Sequence, residues 1–93
     1  MIRGFRHNGL QRFWTRSDHS RLRPDWVSRI IRLLHALDAA RRPSDLAVPG
    51  SGFHRLRGER ASRYAMTVSR NWRLTFGWDG EDAVDIDLED YHG

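Results

Sequence analysis

The 93-residue chain contains neither cysteine nor lysine. Without cysteine no disulfide can staple the fold, which suits a reducing compartment. No apolar run is long enough to cross a bilayer, and Met1-Ile2-Arg3-Gly4-Phe5 lacks the apolar stretch and cleavage site of a secretory signal. The chain is therefore expected to act in the cytoplasm, away from membranes. Internal repeats, linkers and low-complexity tracts are missing as well. Apolar residues make up 39%, enough for one hydrophobic core in a two-layer fold and hence one domain, residues 1–93.

What is there, above all, is arginine. Residues 1–78 hold all 16 arginines against five acids, a formal +11, whereas residues 79–93 hold seven acids and no arginine, a formal −7. A basic body attracts polyanions, and the planar guanidinium suits bidentate contact with phosphate. Charge alone thus favours a nucleic-acid partner over the plainer alternative, a solvated arginine-rich surface carrying an acidic hairpin.

Hydrophobic periodicity divides the chain into elements. Residues 2–5 form a short strand candidate. Leu10, Phe13 and Trp14 recur at helical spacing, predicting a short amphipathic helix from about Leu10 to Thr15. Pro24 suits the first turn of a second helix, which runs to about Ala40. Its stripe of Trp26, Val27, Ile30, Ile31, Leu33, Leu34 and Leu37 is broad enough to be buried, with Arg29 and Arg32 turned to water. After Pro49-Gly50-Ser51-Gly52 the period changes from 3.6 to 2. Phe53 to Arg57 and Tyr64 to Val68 are strand candidates. Trp72, Leu74, Phe76 and Trp78 alternate with polar or small residues, Asp79-Gly80 marks a hairpin turn, and Val84, Ile86 and Leu88 alternate with acids. The expected fold is α+β, in the order β-α-α-β-β-β-β: a mostly antiparallel sheet with both helices on one face. If Trp72 and Leu74 point at the helices, Arg73 points to the open face.

Cleaving RNA without a metal requires the 2′-hydroxyl to attack the adjacent phosphate. One group must take its proton, another must protonate the leaving oxygen, and a cation must stabilise the charged intermediate. Histidine is best matched to the proton transfers near neutral pH, and arginine to the oxyanion. The C-terminal half supplies His54, Arg55, Arg57, Arg60, Arg63, Arg70, Arg73 and His92, with Tyr91 beside the last. Spacing alone does not bring these together, and a lone histidine in a basic domain is more often a surface residue.

Several stretches resemble the HigB-type toxins of bacterial toxin–antitoxin pairs, within the RelE/ParE superfamily. They are Leu34-His35-Ala36-Leu37-Asp38-Ala39-Ala40, Pro49-Gly50 leading into Phe53-His54-Arg55-Leu56, Gly58-Glu59-Arg60, Asn71-Trp72-Arg73-Leu74-Thr75-Phe76 and Asp90-Tyr91-His92. The likeness covers nearly the whole chain, and the Asn-Trp-Arg strand and terminal Asp-Tyr-His are its most specific parts. It implies a RelE-like fold and a toxin that inhibits translation by cutting messenger RNA in the ribosomal A site. It also implies an antitoxin with a helix-turn-helix DNA-binding domain, partners in the ribosome and its message, and no cofactor or metal.

Carried over residue by residue, the resemblance places the active site on His54, Arg57, Arg73, Tyr91 and His92. Arg73 would stabilise the scissile phosphate, and Tyr91 would orient the nucleotide. His54 and His92 are open candidates for acid, base or 2′-hydroxyl positioning. Arg57 stands where the family often has lysine; always protonated, it can stabilise charge but not serve as a base. His54 and Arg57 differ in strand parity, so one of them must lie at a strand end or bulge.

Two other readings stay open: a ParE-like poison of DNA gyrase without RNase activity, and a non-catalytic RNA-binding module. Trp72 and Trp26 are expected in the core rather than as base-stacking platforms, with Trp14 partly exposed. His35 is expected to be structural, and His7 and His19 to lie on the surface. Asp85, Asp87 and Glu89 are expected as solvated acids on one strand face rather than as a metal site.

Overall fold

Both helices form where the apolar spacing predicts them, and each has an identifiable start. In the computed structural model, which describes residues 1–91, α1 spans Asn8–Arg16 and α2 spans Val27–Ala39. His7 caps α1 by accepting the Leu10 N–H at Nδ1, 3.1 Å away. It is half-buried rather than a surface residue, because a cap must lie against the first helical turn. Pro24 opens a 3₁₀ turn, Pro24–Trp26, that leads directly into α2. The second helix ends where Ala40 becomes extended, ahead of Arg41-Arg42-Pro43.

The sheet is built from β1 (His54–Arg55), β2 (Arg63–Thr67), β3 (Trp72–Asp79) and β4 (Asp82–Asp90) in that spatial order, each pair antiparallel. Gly80, at φ +63°, turns β3 into β4 where Asp79-Gly80 predicts a hairpin. The N-terminal segment completes the other edge by pairing in parallel with β4, Ile2 against Ala83 and Phe5 against Ile86. It makes two isolated bridges instead of the continuous strand expected over residues 2–5. The reason lies in β4, which carries a bulge between the two bridging points.

That bulge redirects the side chains. Gly77 pairs with Val84 and Thr75 with Asp87, so Phe76 alone opposes both Asp85 and Ile86. Asp85 adopts φ +50°, a left-handed conformation that aspartate tolerates better than most residues. Alternation therefore breaks at this point. Ala83, Ile86 and Leu88 enter the core, while Val84 falls on the opposite face with Asp87 and Glu89. The expected run of Val84, Ile86 and Leu88 on one face is corrected accordingly.

The core lies between the helices and one sheet face. Leu10 and Phe13 of α1 and Ile30, Leu33, Leu34 and Leu37 of α2 cluster with Met66, Leu74, Phe76 and Ile86. Truncating a fully buried leucine such as Leu34 to alanine costs about 2–5 kcal/mol in cores of this kind. Trp26 and Trp72 pack against each other at 5.2 Å on the margin of this layer, and Trp14 is partly buried against the ring of His35, also at 5.2 Å. Arg29 does not turn to water. Its Nε donates to the Thr67 carbonyl and its Nη2 to the Gly50 carbonyl, both at 2.8 Å, tying α2 to the end of β2. Among the described residues, neither α1 nor α2 packs on the opposite sheet face.

Candidate active site

The open face is defined by register. Arg63, Gly77 and Val84 form one row across β2–β4, Ala65, Thr75 and Asp87 the next, and Thr67, Arg73 and Glu89 a third. His54 on β1 extends the middle row, because it pairs with Ala65. Strands lie about 4.8 Å apart, so the His54 and Arg73 backbones are separated by roughly 12 Å, within reach of two side chains meeting over one nucleotide.

A polar network lies within this face. Arg63 is only 7% exposed; its Nη2 donates to Thr75 Oγ1 at 3.0 Å and to the Asp85 carbonyl at 2.8 Å, and its buried Nε has no partner. Burial, reinforced by the Arg6 charge, lowers its pKa from the usual guanidinium value. The Glu89 carboxylate accepts from Arg60 Nη2 at 2.5 Å and from the Thr75 hydroxyl. Burial alone would raise the Glu89 pKa, but these hydrogen bonds and the neighbouring Arg60 and Arg63 charges outweigh it and hold it below the ordinary carboxylate value. Arg60 also places Nη1 3.4 Å from Tyr91 Oη, with its guanidinium carbon 5.9 Å from the Tyr91 ring centre.

Four of the five residues expected at the site lie among the described residues. His54 is exposed, and its Nδ1 lies 3.1 Å from the Gly52 carbonyl. A carbonyl can only accept, so this contact assigns the proton of the neutral ring to Nδ1 and leaves Nε2 as its basic nitrogen. Arg57 lies beyond β1, which ends at Arg55, so strand parity does not govern it. Its backbone is extended, it is exposed, and it leads into the 3₁₀ turn Gly58–Arg60. Arg73 is half-buried on the open face, and its Nη1 donates to the carbonyls of Ser69 at 2.8 Å, Trp72 at 3.1 Å and Arg70 at 3.3 Å. Tyr91 follows β4, anchored by its N–H to the Asn71 carbonyl at 2.6 Å, and is 37% exposed. His92 lies outside the described residues. Tyr91 is thus joined to Arg60, and His54 and Arg73 share its side of the sheet.

The sequence-based reading missed the working parts of this network. Arg60 counted there only as one cation among several, and Glu89 as a solvated acid. Asp87 and Glu89 share the open face as expected, but Asp85 sits in the bulge, and Glu89 is engaged by Arg60 rather than solvated. Among the described residues no three His, Asp or Glu side chains are grouped to hold a metal ion. The available signal was alternation: Glu89 lies on the strand face directly opposite Arg73, two residues before Tyr91.

A sequence profile of the HigB-like toxins, described as the RelE-like toxin of the type II toxin–antitoxin system HigB, matches residues 3–92. The chain belongs to this family. It is 35% identical to the Endoribonuclease HigB of Proteus vulgaris over 92 residues, covering 99% of this chain and all of that protein. It is 33% identical to the Toxin HigB-1 of Vibrio cholerae serotype O1 over 76 residues, 80% of each chain. The α+β arrangement agrees with the RelE-like fold that the resemblance implies. Membership also means that the chain is the toxin half of a pair, with an antitoxin as partner. No helix among the described residues is long and apolar enough to cross a membrane.

Proposed function

We propose that this toxin is an endoribonuclease that cuts messenger RNA on the ribosome. The 2′-hydroxyl attacks the neighbouring phosphorus, its proton passes to a base, and the bond to the 5′-oxygen breaks as that oxygen takes a proton. The products are a 2′,3′-cyclic phosphate and a 5′-hydroxyl. The nucleophile is supplied by the RNA itself, so the protein need only move protons and stabilise charge.

In this reading Arg73 holds the scissile phosphate, with Arg57 adding charge at the rim, and Tyr91 orients the nucleotide. His54 and His92 divide the proton transfers. The observation that carries the reading is the open sheet face, which gathers His54, Arg73 and the Arg60–Tyr91 pair on one side of the molecule. The name of the Proteus vulgaris relative, Endoribonuclease HigB, supports it independently. We further read the partner as an antitoxin with a helix-turn-helix DNA-binding domain, and the place of action as the cytoplasm.

The test is a translation reaction on defined messages, with RNA ends mapped by primer extension. New 5′ ends within codons held in the A site are expected, and a 2′-O-methyl group at the cleaved nucleotide should abolish them. Ribosome binding with intact message would refute cleavage, and loss of supercoiling activity in a gyrase assay would direct attention to DNA instead.

A further inference from the structure

Arg60 lies in a turn between strands, where no periodicity assigns it a face, yet its guanidinium reaches the open face and the edge of Tyr91. Three contacts hold it there: the Glu89 carboxylate at 2.5 Å, the Tyr91 hydroxyl at 3.4 Å and the Tyr91 ring at 5.9 Å. Glu89 is itself held in place, because the same oxygen accepts from Thr75, whose hydroxyl in turn accepts from the buried Arg63. Glu89 is thus fixed from beneath, and Arg60 is fixed by Glu89. The Arg60 side chain is nevertheless 41% exposed. A guanidinium carries five N–H donors, and these contacts engage Nη1 and Nη2 once each, so donors remain on its outer edge. The 3₁₀ turn also ties Arg60 to Arg57, through the Arg60 N–H to the Arg57 carbonyl at 3.4 Å.

We propose that Arg60 is an RNA-binding residue of this site, taking a backbone phosphate beside the nucleotide on Tyr91, and that Glu89 is its positioning residue. The inference rests on the reading that this face binds RNA. An arginine held at one edge by a carboxylate and free at the other is pre-organised for bidentate phosphate contact, so little side-chain freedom is lost on binding. Tyr91 and Arg60 then act together, one against the nucleotide and the other on its phosphate. Glu89 has a cost in this arrangement, since it places a negative charge near the substrate. That cost makes the proposal testable by sign.

The experiment measures binding of a short single-stranded RNA, 2′-O-methylated throughout so that it cannot be cut, by fluorescence anisotropy over a salt series. Thermal melting checks that each variant is folded. Arg60→Ala should weaken binding by about tenfold at low salt and reduce the slope of log affinity against log salt by about one phosphate contact. Arg60→Lys should restore the slope but only part of the affinity. Glu89→Gln keeps an acceptor oxygen for Arg60 and loses the charge, so it should bind at least as tightly as the parent protein. Glu89→Ala loses the same charge and also the anchor, and should bind more weakly than Glu89→Gln by severalfold.

Equal affinities of the Ala and Gln variants at position 89, or an unchanged salt slope for Arg60→Ala, would overturn the proposal. Cleavage lost in Arg73→Ala alongside unchanged RNA binding by the Arg60 variants would refute this inference while leaving the endoribonuclease reading intact. Normal RNA binding with the expected Arg60 effects, but no cleavage by the parent protein, would refute that reading and leave Arg60 as a binding residue.

Discussion

Glu89 stands directly opposite Arg73 across the β3–β4 ladder, yet its carboxylate closes on Arg60 and Thr75. Arg73 directs Nη1 instead to the carbonyls of the Ser69–Trp72 turn. The two arginines therefore differ in kind. Arg60 is partly neutralised, while Arg73 keeps a charge that Glu89 does not offset.

From this difference follows the first prediction. Arg73→Ala should lower cleavage by at least about 100-fold, the usual effect of removing a fixed donor to a developing oxyanion. It should also cost about 1 kcal/mol of stability, because the turn carbonyls lose their donor. Quantified product ends and urea melts measure the two effects separately. Arg73→Lys should recover most of the stability but little of the rate, since an ammonium cannot span the turn and a phosphate together. Full activity in Arg73→Lys would contradict this.

Much of the fold was legible because it is written in local periodicity. The α2 stripe, the Trp72–Trp78 alternation and the Asp79-Gly80 turn each carry their own signal. Register then placed Arg73 on the open face as parity required. What was not legible depends on contacts distant in sequence. Nothing in the alternation of Val84, Ile86 and Leu88 announces that Asp85 turns left-handed, a choice stabilised by Arg63 donating to its carbonyl. Arg60 belongs to a 3₁₀ turn without strand parity, so only the folded chain connects it with Glu89 and Tyr91. His7 looked like a surface histidine because its cap is recognised by geometry, while serine, threonine, aspartate and asparagine are the residue types that announce one.

The bulge makes a prediction of its own. At φ +50° the Asp85 backbone sits where glycine is freest and β-branched residues are most strained. Asp85→Gly should leave stability within about 0.5 kcal/mol of the parent protein, and Asp85→Val should lose about 1–2 kcal/mol. Urea midpoints decide between this and a regular strand, in which valine would stabilise and glycine would not.

Stability should also depend on pH through His7. Burial pushes its imidazole below the usual value of 6.5, against an opposing pull from the Asp87 carboxylate. Its folded pKa is depressed, so its contribution is complete above about pH 6.5 and is lost as pH falls through the folded value. Protonation also removes the lone pair that accepts the Leu10 N–H. His7→Asn supplies a cap that does not titrate there. Melting temperatures from pH 8 to pH 5 should fall more steeply for the parent protein than for this variant, and parallel curves would exclude His7 as the cause.

The last prediction concerns the support of His54. Gly52 has φ +63°, and a Cβ there would lie 2.2 Å from Thr67 Oγ1 and 3.0 Å from Thr67 Cβ. Its carbonyl is also the group that faces His54 Nδ1. Gly52→Ala should therefore cost about 2–3 kcal/mol, combining left-handed strain with the clash. Replacing Thr67 by alanine in the same chain removes the nearer clash but not the strain. The double variant should regain about 1 kcal/mol relative to the sum of the single changes, a coupling typical of residues in contact. Cleavage should follow a different pattern. Stability returns when Thr67 is trimmed, but the Gly52 carbonyl stays displaced, so the double variant should remain slower than Thr67→Ala alone. Urea melts and cleavage rates on the four proteins of this cycle test both claims, and recovery of rate in step with stability would show that the Gly52 carbonyl does not position His54.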